Sequence, residues 1–412
     1  MIDHIQIKRF SILGACMLML LFLGTNQAWS VFVGPLQASH GFSSFQMQLI
    51  FSTGTVAFCT AIIFAGRLHD RFGPRPLAVA SAVLIGLAWG LAWAFGDSYI
   101  WLWLAVGVLA SSGSAVGYVC PLATAMKWFP HRPGLVSGLA AAGFAGGPIL
   151  LSMVAEALMR SGWQPIEVFG LVAVTYAPAV LLTGLALVRP AGQEGHAEVA
   201  RFRRRELVGD RRFWSLWAGM FTGTFPFLLV MGNAKPLAVE RGLSGAAAAV
   251  AISVLAAGNA CGRVFWGLVL DRVGPRRSML AAQTVMIGSV AALLAQNQLG
   301  SAVFFVSLFG IGFCYGSNFA IYPATVSRLY GAHVLGSVYP FIIASQAFSS
   351  FGASANGLLR DATGSSMPGL LLALVAAVLG SAVCIVLSRS LSTVSDRQPS
   401  GSGSGATRTD GS

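Results

Sequence analysis

Long, unbroken apolar segments separated by short polar ones make up most of this 412-residue chain. Apolar and polar residues do not alternate inside these segments, which predicts membrane-spanning helices of about 20 residues rather than barrel strands. A helix also keeps its backbone hydrogen bonds inside the segment, as lipid requires. The pattern therefore predicts an all-α membrane protein with twelve transmembrane helices, at about 10–37, 45–67, 77–96, 99–127, 134–159, 166–188, 213–238, 244–270, 278–296, 299–329, 334–359 and 367–388.

One long polar segment, "RPAGQEGHAEVARFRRRELVGDRR" at 189–212, divides these spans into two groups of six. Its basic and hydrophilic composition is typical of a linker and not of a membrane segment. We predict an N-terminal six-helix half at 1–188, a linker at 189–212, a C-terminal six-helix half at 213–390 and a flexible tail at 391–412. Glycine and serine are frequent at the end of that tail, which favours a flexible chain.

The composition agrees with lipid as the solvent for most of the chain. Hydrophobic residues make up 55% and charged residues only 10%, whereas soluble domains have about 25% charged residues. The net charge of +12 could indicate nucleic-acid binding, but Lys and Arg are concentrated in the termini, the linker and alternate loops. The other loops carry only Arg160, Arg241 and Arg360. By the positive-inside rule, we expect an inner-membrane protein with both termini cytoplasmic and no nucleic-acid partner.

Residue types that carry catalytic or metal chemistry are scattered along the chain. The six cysteines all lie in apolar segments and are not closely spaced, so we expect neither a disulfide framework nor a metal site. No cluster of histidines, acids and nucleophiles lies at a bilayer edge. We therefore predict no cofactor and no enzymatic activity.

A short sequence recurs once in each half: "GRLHDRFGPRP" at 66–76 and "GLVLDRVGPRR" at 267–277. Each copy follows the second span of its half, as expected for the parallel repeats of a transporter. The pattern resembles the loop motif of the major facilitator superfamily, and its glycines favour a tight turn. A turn that only caps two helices is the alternative to a two-state cytoplasmic latch that does not touch substrate. The predicted latch residues are Asp70, Arg71, Asp271 and Arg272.

The segment "WFPHRPGLVSGLAAAGFAGG" at 128–147 joins spans 4 and 5. It resembles a motif of the monocarboxylate transporter family, and the chain is also similar to the bacterial oxalate/formate exchangers. The resemblance implies the major facilitator fold, with two pseudo-symmetric halves that alternate access to a central site. Two features of the animal carriers are absent: the acidic-Gly-Gly-Trp motif before span 1, and a lysine within span 1, where "FLGTNQAWSVFVG" has no cation.

Arg263 lies inside the apolar part of span 8, eight residues before Asp271. At 1.5 Å per residue this is about 12 Å from the cytoplasmic end, farther than an arginine side chain reaches. A charge at that depth costs at least about 2.5–3.5 kcal/mol, so we expect a cavity and an anionic partner. A structural ion pair with Glu156, near the outer end of span 5, is the alternative. The family resemblance implies that Arg263 binds the substrate carboxylate, with Asn259 one turn earlier where the animal carriers have aspartate.

Polar and aromatic residues near the middle of other spans complete the predicted pocket. Gln346 lies where the oxalate/formate exchangers carry a second cation, so one fixed positive charge remains and a monocarboxylate is favoured over a dicarboxylate. Lys235 lies near the outer end of span 7, and we expect its side chain to extend to the interface. Helix packing is the alternative role for Phe319 and Phe144, and a position at the membrane interface is the alternative for Tyr118. The predicted substrate-binding residues are Arg263, Tyr118, Tyr315, Phe319, Asn26, Trp29, Phe144, Asn233 and Gln346.

These features predict a monomeric secondary active transporter that moves a small monocarboxylate, such as lactate or pyruvate, by alternating access and together with a proton. All histidines lie outside the span centres, so we expect the proton to come from an outer-side acid or from water. Asn259 and Glu156 are assigned to coupling or gating. An anion exchanger of the oxalate/formate type is the alternative. A sensor is disfavoured by the doubled loop motif and by Arg263, and a channel by the two alternating-access halves. An enzyme is disfavoured because no catalytic cluster lies at a bilayer edge.

Overall fold

The protein is helical throughout the part that the structure describes. This computed structural model describes residues 2–129, 133–188, 204–243, 245–330 and 335–388, and those residues contain no β-strand. The helices are α1 (Ile2–Gly24), α2 (Ser30–His40), α3 (Ser44–Phe72), α4 (Pro74–Phe95), α5 (Tyr99–Leu102), α6 (Ser111–Trp128), α7 (Pro133–Arg160), α8 (Pro165–Leu185), α9 (Arg204–Gly209), α10 (Arg211–Glu240), α11 (Gly245–Val273), α12 (Pro275–Leu299), α13 (Ser301–Tyr330), α14 (Leu335–Ile343), α15 (Ser345–Thr363) and α16 (Met367–Ser388).

Helices lie at the positions of all twelve predicted spans, and the all-α membrane fold is confirmed. Spans 1 and 11 each combine two helices, span 4 runs from α5 through a π-helical segment at Trp103–Ala110 into α6, and the remaining spans are single helices. Among the described residues, nine helices are long and apolar enough to cross a membrane, and α16 adds a shorter apolar stretch at Met367–Val383. We call α1–α8 the first half and α10–α16 the second half.

The predicted domain boundaries are only partly covered by the described residues. The short helix α9 lies within the predicted linker. The rest of that linker up to residue 203, and the predicted tail, lie outside the described residues. The boundaries at 188, 212 and 390 therefore stay predictions.

Spans 1 and 11 are not the continuous helices that the apolar pattern predicts. Span 1 changes to a 3-10 turn at Thr25–Ala28, between α1 and α2. Span 11 is interrupted at Ala344, between α14 and α15. The sequence pattern missed both interruptions because hydropathy indicates transfer into lipid and carries no information on where a helix bends or unwinds.

The repeated motif forms the same turn in both halves. Gly73, between α3 and α4, has φ 86°, and Gly274, between α11 and α12, has φ 80°. This left-handed region favours glycine because a side chain would clash with the backbone. Pro74 and Pro275 then begin the next helices, where a backbone N–H has no helical partner to lose. The sequence repeat is therefore also a structural repeat.

Helices α11 and α13 pack with their backbones in direct contact. Gly258 and Gly262 on α11 lie against backbone carbonyls of α13, while Gly312 and Gly316 on α13 lie against the backbone of α11. An added Cβ at any of these positions would overlap backbone atoms, so a larger residue would force the helices apart. Gly316 lies against the backbone nitrogen of Arg263, and this packing therefore fixes where Arg263 lies relative to α13.

Candidate substrate site between the halves

Arg263 is half-buried on α11 and faces α13. Its guanidinium carbon lies 4.1 Å from the centroid of the Phe319 ring, which is a cation–π contact. Its Nε donates a hydrogen bond of 3.2 Å to Oδ1 of the buried Asn259. Across the residues that the structure describes, no carboxylate oxygen lies within 4.0 Å of the guanidinium. Arg263 is thus oriented by a ring and an amide, and neither of them neutralises its charge.

Tyr315 extends this surface within the second half. Its hydroxyl donates a hydrogen bond of 3.1 Å to Oε1 of Gln346, which joins α13 to α15. Its ring stacks on Phe227 of α10, with centroids 3.6 Å apart, and meets Phe319 edge-on at 5.2 Å. These contacts hold the ring on one side of Arg263 and use its hydroxyl for orientation.

The first half contributes an aromatic cluster to the same region. The ring of Tyr118 on α6 lies 5.1 Å from Phe144 on α7 and 5.8 Å from Phe58 on α3. From the second half, Tyr339 on α14 lies near both Tyr118 and Arg263. The site therefore lies between the two halves, where a bound molecule would contact both.

The structure brings most of the predicted pocket residues together. Asn26, in the 3-10 turn of span 1, donates a hydrogen bond of 3.2 Å to Ser114, one turn before Tyr118 on α6. It therefore lies next to the residues that the first half contributes to the site. The predicted residues that share this region are Arg263, Asn259, Phe319, Tyr315, Gln346, Tyr118, Phe144 and Asn26.

Trp29 and Asn233 lie apart from that cluster. The indole N–H of Trp29 donates to the Met47 carbonyl at 2.8 Å, and the Asn233 amide donates to the Leu229 carbonyl at 2.7 Å. Both side chains are almost fully buried. Their substrate-binding roles stay predictions, because the hydrogen bonds that each one makes are to its own protein.

Three aromatic residues of the site were not predicted from the sequence: Phe58, Phe227 and Tyr339. An aromatic residue in an apolar helix gives the same pattern whether it faces lipid, a neighbouring helix or a cavity. Only Tyr339 carries a usable signal, since a hydroxyl next to Pro340 inside an apolar segment requires a polar partner.

Lys235 does not extend to the interface, and that prediction is wrong. Its side chain is 11% exposed, and its Nζ lies 2.5 Å from Oε2 of Glu156 on α7. Nζ also lies 3.4 Å from the Val31 carbonyl, which loses its helical donor because Pro35 has no N–H. The pair is possible because α10 and α7 come close between the halves, a contact that a linear sequence does not display.

Glu156 therefore pairs across the two halves, and its partner is Lys235 and not Arg263. A second cation, Arg160, lies one turn along α7, with its Nε 3.4 Å from Oε1 of Glu156. The structural alternative for Arg263, an ion pair with Glu156, is not observed. The gating role of Glu156 stays a prediction, now with a named partner in the other half.

Further contacts between the halves close this end of the bundle, which we call the Asp361 face (Ser44, Ser52, Glu156, Lys235 and Asp361). Asp361, at the end of α15, accepts hydrogen bonds from the backbone N–H groups of Ser44 at 2.9 Å and Phe45 at 2.8 Å. The carboxylate thereby caps the first turn of α3. Farther into the bundle, the Ser354 hydroxyl donates to the Ser52 hydroxyl at 2.7 Å.

The opposite end carries the repeated motif, and we call it the Asp271 face (Arg71, Asp271, Arg272 and Arg328). Arg328 donates to Asp271 Oδ1 at 3.1 Å, but both residues belong to the second half and both are exposed. An exposed pair of this kind contributes about 0–1 kcal/mol. Arg71 lies over the Phe72 ring, and Arg272 is exposed. The side chain of Asp70 lies outside the described part, so the latch role of these residues stays a prediction.

We expect Asp361→Asn to weaken the closure of the Asp361 face. The amide keeps the shape but loses the charge that stabilises the α3 N-terminus, at a cost of about 1 kcal/mol. Labelling of Ser354→Cys by an impermeant maleimide should then increase about fivefold. Asp97→Asn is the matched control, because Asp97 pairs with His40 inside the first half. Equal labelling with and without Asp361→Asn would contradict the assignment.

This cap should not respond to pH near neutrality. Partial burial alone would raise the pKa of Asp361, but the Ser44 and Phe45 N–H donors outweigh it and hold the pKa below its ordinary value. The carboxylate is charged above its ordinary pKa, and the cap is lost only as the pH falls through the lowered value.

Comparison with known proteins gives consistent matches. A family model described as the Major Facilitator Superfamily matches residues 14–354. The oxalate:formate antiporter of Oxalobacter formigenes is 27% identical over 354 residues, which cover 83% of this chain and 82% of the antiporter. Monocarboxylate transporter 13 of Bos taurus is 25% identical over 378 residues, which cover 89% of this chain and 86% of that transporter.

A solved structure has the same fold. A bacterial homologue of the human lysosomal transporter Spinster, in an inward-facing and unoccupied conformation, superposes with a TM-score of 0.75. The match covers 94% of this chain and 98% of the other at 15% sequence identity, so it concerns the fold alone.

Proposed function

Because the chain belongs to the Major Facilitator Superfamily, we propose that it transports a small monocarboxylate of the lactate or pyruvate type together with a proton. One observation carries this proposal: the guanidinium of Arg263 contacts Phe319 and Asn259, and no carboxylate of the described residues lies within 4.0 Å of it. An unneutralised cation inside the bilayer is costly, and a substrate carboxylate would offset that cost.

The charge of the pocket favours one carboxylate over two. Gln346, which resembles the position of a second cation in the oxalate/formate exchangers, is neutral and bonded to Tyr315. The other side chains that line the site are aromatic rings, the Tyr118 and Tyr339 hydroxyls and the Asn259 amide. The second charge of a dicarboxylate would have no cation to meet it in a region of low dielectric.

Alternating access would use the Asp361 face as one of two gates. We place that face outside and the Asp271 face in the cytoplasm, in an inner membrane, because Lys and Arg concentrate in the loops of the Asp271 face. The contacts of Asp361, Ser52 and Lys235 between the halves would break when the outer gate opens. Both termini are then cytoplasmic, and one chain suffices for the cycle.

Among the described residues, no carboxylate that could accept the coupled proton lies beside Arg263. Glu156 is already engaged by two cations, Lys235 and Arg160, in the closed state. We therefore propose that the proton joins from water or from an outer-side acid once the substrate has neutralised Arg263. The latch residues would act on the equilibrium between the two states and not on the proton.

Uptake of labelled lactate into proteoliposomes tests this function. An inward proton gradient at constant membrane potential should raise the initial rate several-fold over uptake without a gradient, as a coupled proton adds its own driving force. Uptake that does not respond to the gradient but requires an internal anion would replace symport with exchange, the activity for which the oxalate:formate antiporter of Oxalobacter formigenes is named. Uptake equal to that of empty vesicles for lactate, pyruvate and formate would contradict the proposal.

A further inference from the structure

We propose that Lys235 forms a second, transient carboxylate site, which captures the substrate at the outer gate before Arg263 binds it. This inference rests on the proposed function and adds an entry site to it. The ion pair of Lys235 and Glu156 crosses between the two halves, so it breaks when the Asp361 face opens. The two partners are then left in different surroundings.

Glu156 keeps a cation after the gate opens, whereas Lys235 does not keep an anion. Arg160 is on the same helix as Glu156, one turn away, and its Nε is already 3.4 Å from the carboxylate. Both oxygens near Lys235 Nζ, from Glu156 and from the Val31 carbonyl, belong to the first half and leave together.

The second half has no spare acid nearby among the described residues. Glu240, one turn and a half farther along α10, is engaged by Arg360 at 3.8 Å and by the Ser366 backbone N–H at 2.8 Å. The Asn233 amide, two residues before Lys235, donates to its own helix. An opened gate therefore presents an ammonium without a counter-ion, at a position now reached from outside, and a carboxylate is the group that matches it.

On α10, Lys235 lies between the outer entrance and the aromatic residues that adjoin Arg263. Phe227, which stacks on Tyr315, lies eight residues earlier on α10, or about 12 Å along the helix axis. A monocarboxylate that leaves Lys235 for Arg263 would free the ammonium to pair with Glu156 again. Closure of the Asp361 face would thus follow the transfer of the substrate, and Glu156 would compete with a carboxylate that remains at the entrance.

Side-specific kinetics of labelled lactate test the entry site. In proteoliposomes of determined orientation, Lys235→Gln should raise the KM for lactate on the Asp361 face about tenfold, the effect of removing a charged hydrogen-bond partner. The KM for lactate on the Asp271 face should change less than twofold. Lys235→Arg, which keeps a cation, should restore most of the outer affinity.

Arg360→Gln is the matched control, because it removes a cation of the same face whose partner, Glu240, lies in the same half. It should leave both KM values near those of the wild type. If Lys235→Gln changes the two KM values equally, or changes neither, Lys235 has no entry role. If Lys235→Gln fails to fold, Lys235→Arg serves as the test. A Lys235→Arg protein with wild-type stability and a tenfold higher outer KM would also show that Lys235 has no entry role. A wild type that does not transport lactate, or transport unaffected by Arg263→Gln, would remove the proposed function and the entry site together.

Discussion

Arg263→Gln is expected to lower lactate transport about a hundredfold. Truncating one partner of a buried, hydrogen-bonded charge pair costs about 2–5 kcal/mol, and each 1.4 kcal/mol is a factor of ten. The loss should appear in kcat/KM, measured from initial rates of labelled lactate uptake into proteoliposomes. The guanidinium that glutamine would replace is oriented by its contact with the Phe319 ring and by its hydrogen bond to Asn259.

Two further variants separate charge from shape at this position. Arg263→Lys keeps the positive charge but loses the planar fork and its stacking on Phe319, so we expect an intermediate loss of about tenfold. Arg211→Gln removes an exposed arginine at the start of α10, far from the pocket along the helix, and should retain the wild-type rate. Wild-type kcat/KM in Arg263→Gln would show that the arginine does not bind substrate.

Joining Ser52→Cys and Ser354→Cys by a disulfide is expected to abolish transport. The two hydroxyl oxygens lie 2.7 Å apart, one on α3 and one on α15, so the paired side chains are close enough for a disulfide. The bond would hold the two halves together at the Asp361 face, and alternating access requires them to part there. Oxidation should stop lactate uptake almost completely, and reduction should restore it.

Each single cysteine variant is the control for that experiment, and its transport should not respond to the oxidant. Endogenous cysteines make this control necessary, because Cys59 lies in the same helix as Ser52 and Cys261 is exposed. Normal uptake by a fully cross-linked protein would mean that the Asp361 face does not open during transport.

The turn motif shows what the sequence can predict. Gly73 and Gly274 adopt a left-handed φ that glycine tolerates, and Pro74 and Pro275 begin the helices that follow. Such features depend on residues adjacent in the chain, and so does the apolar content of each span. Spans 1 and 11 were placed correctly for the same reason, but their interruptions at Thr25–Ala28 and Ala344 were not foreseen.

The site was predictable where a residue conflicts with its surroundings. Arg263 is costly in an apolar helix, and that cost alone predicts a cavity and an anion. Phe58 and Phe227 are ordinary residues for an apolar helix, so the sequence gives no signal for them. Only the folded arrangement shows that they line the same region. The pairing of Lys235 with Glu156 depends on the approach of two helices from different halves, for which one sequence contains no signal.

Equilibrium binding to the purified protein tests most directly whether Arg263 binds the substrate carboxylate. Labelled lactate should bind the wild type saturably, should be displaced by pyruvate more readily than by oxalate, and should not bind Arg263→Gln in the same concentration range. Equal affinity of the wild type and Arg263→Gln for lactate, with both proteins folded, would contradict it.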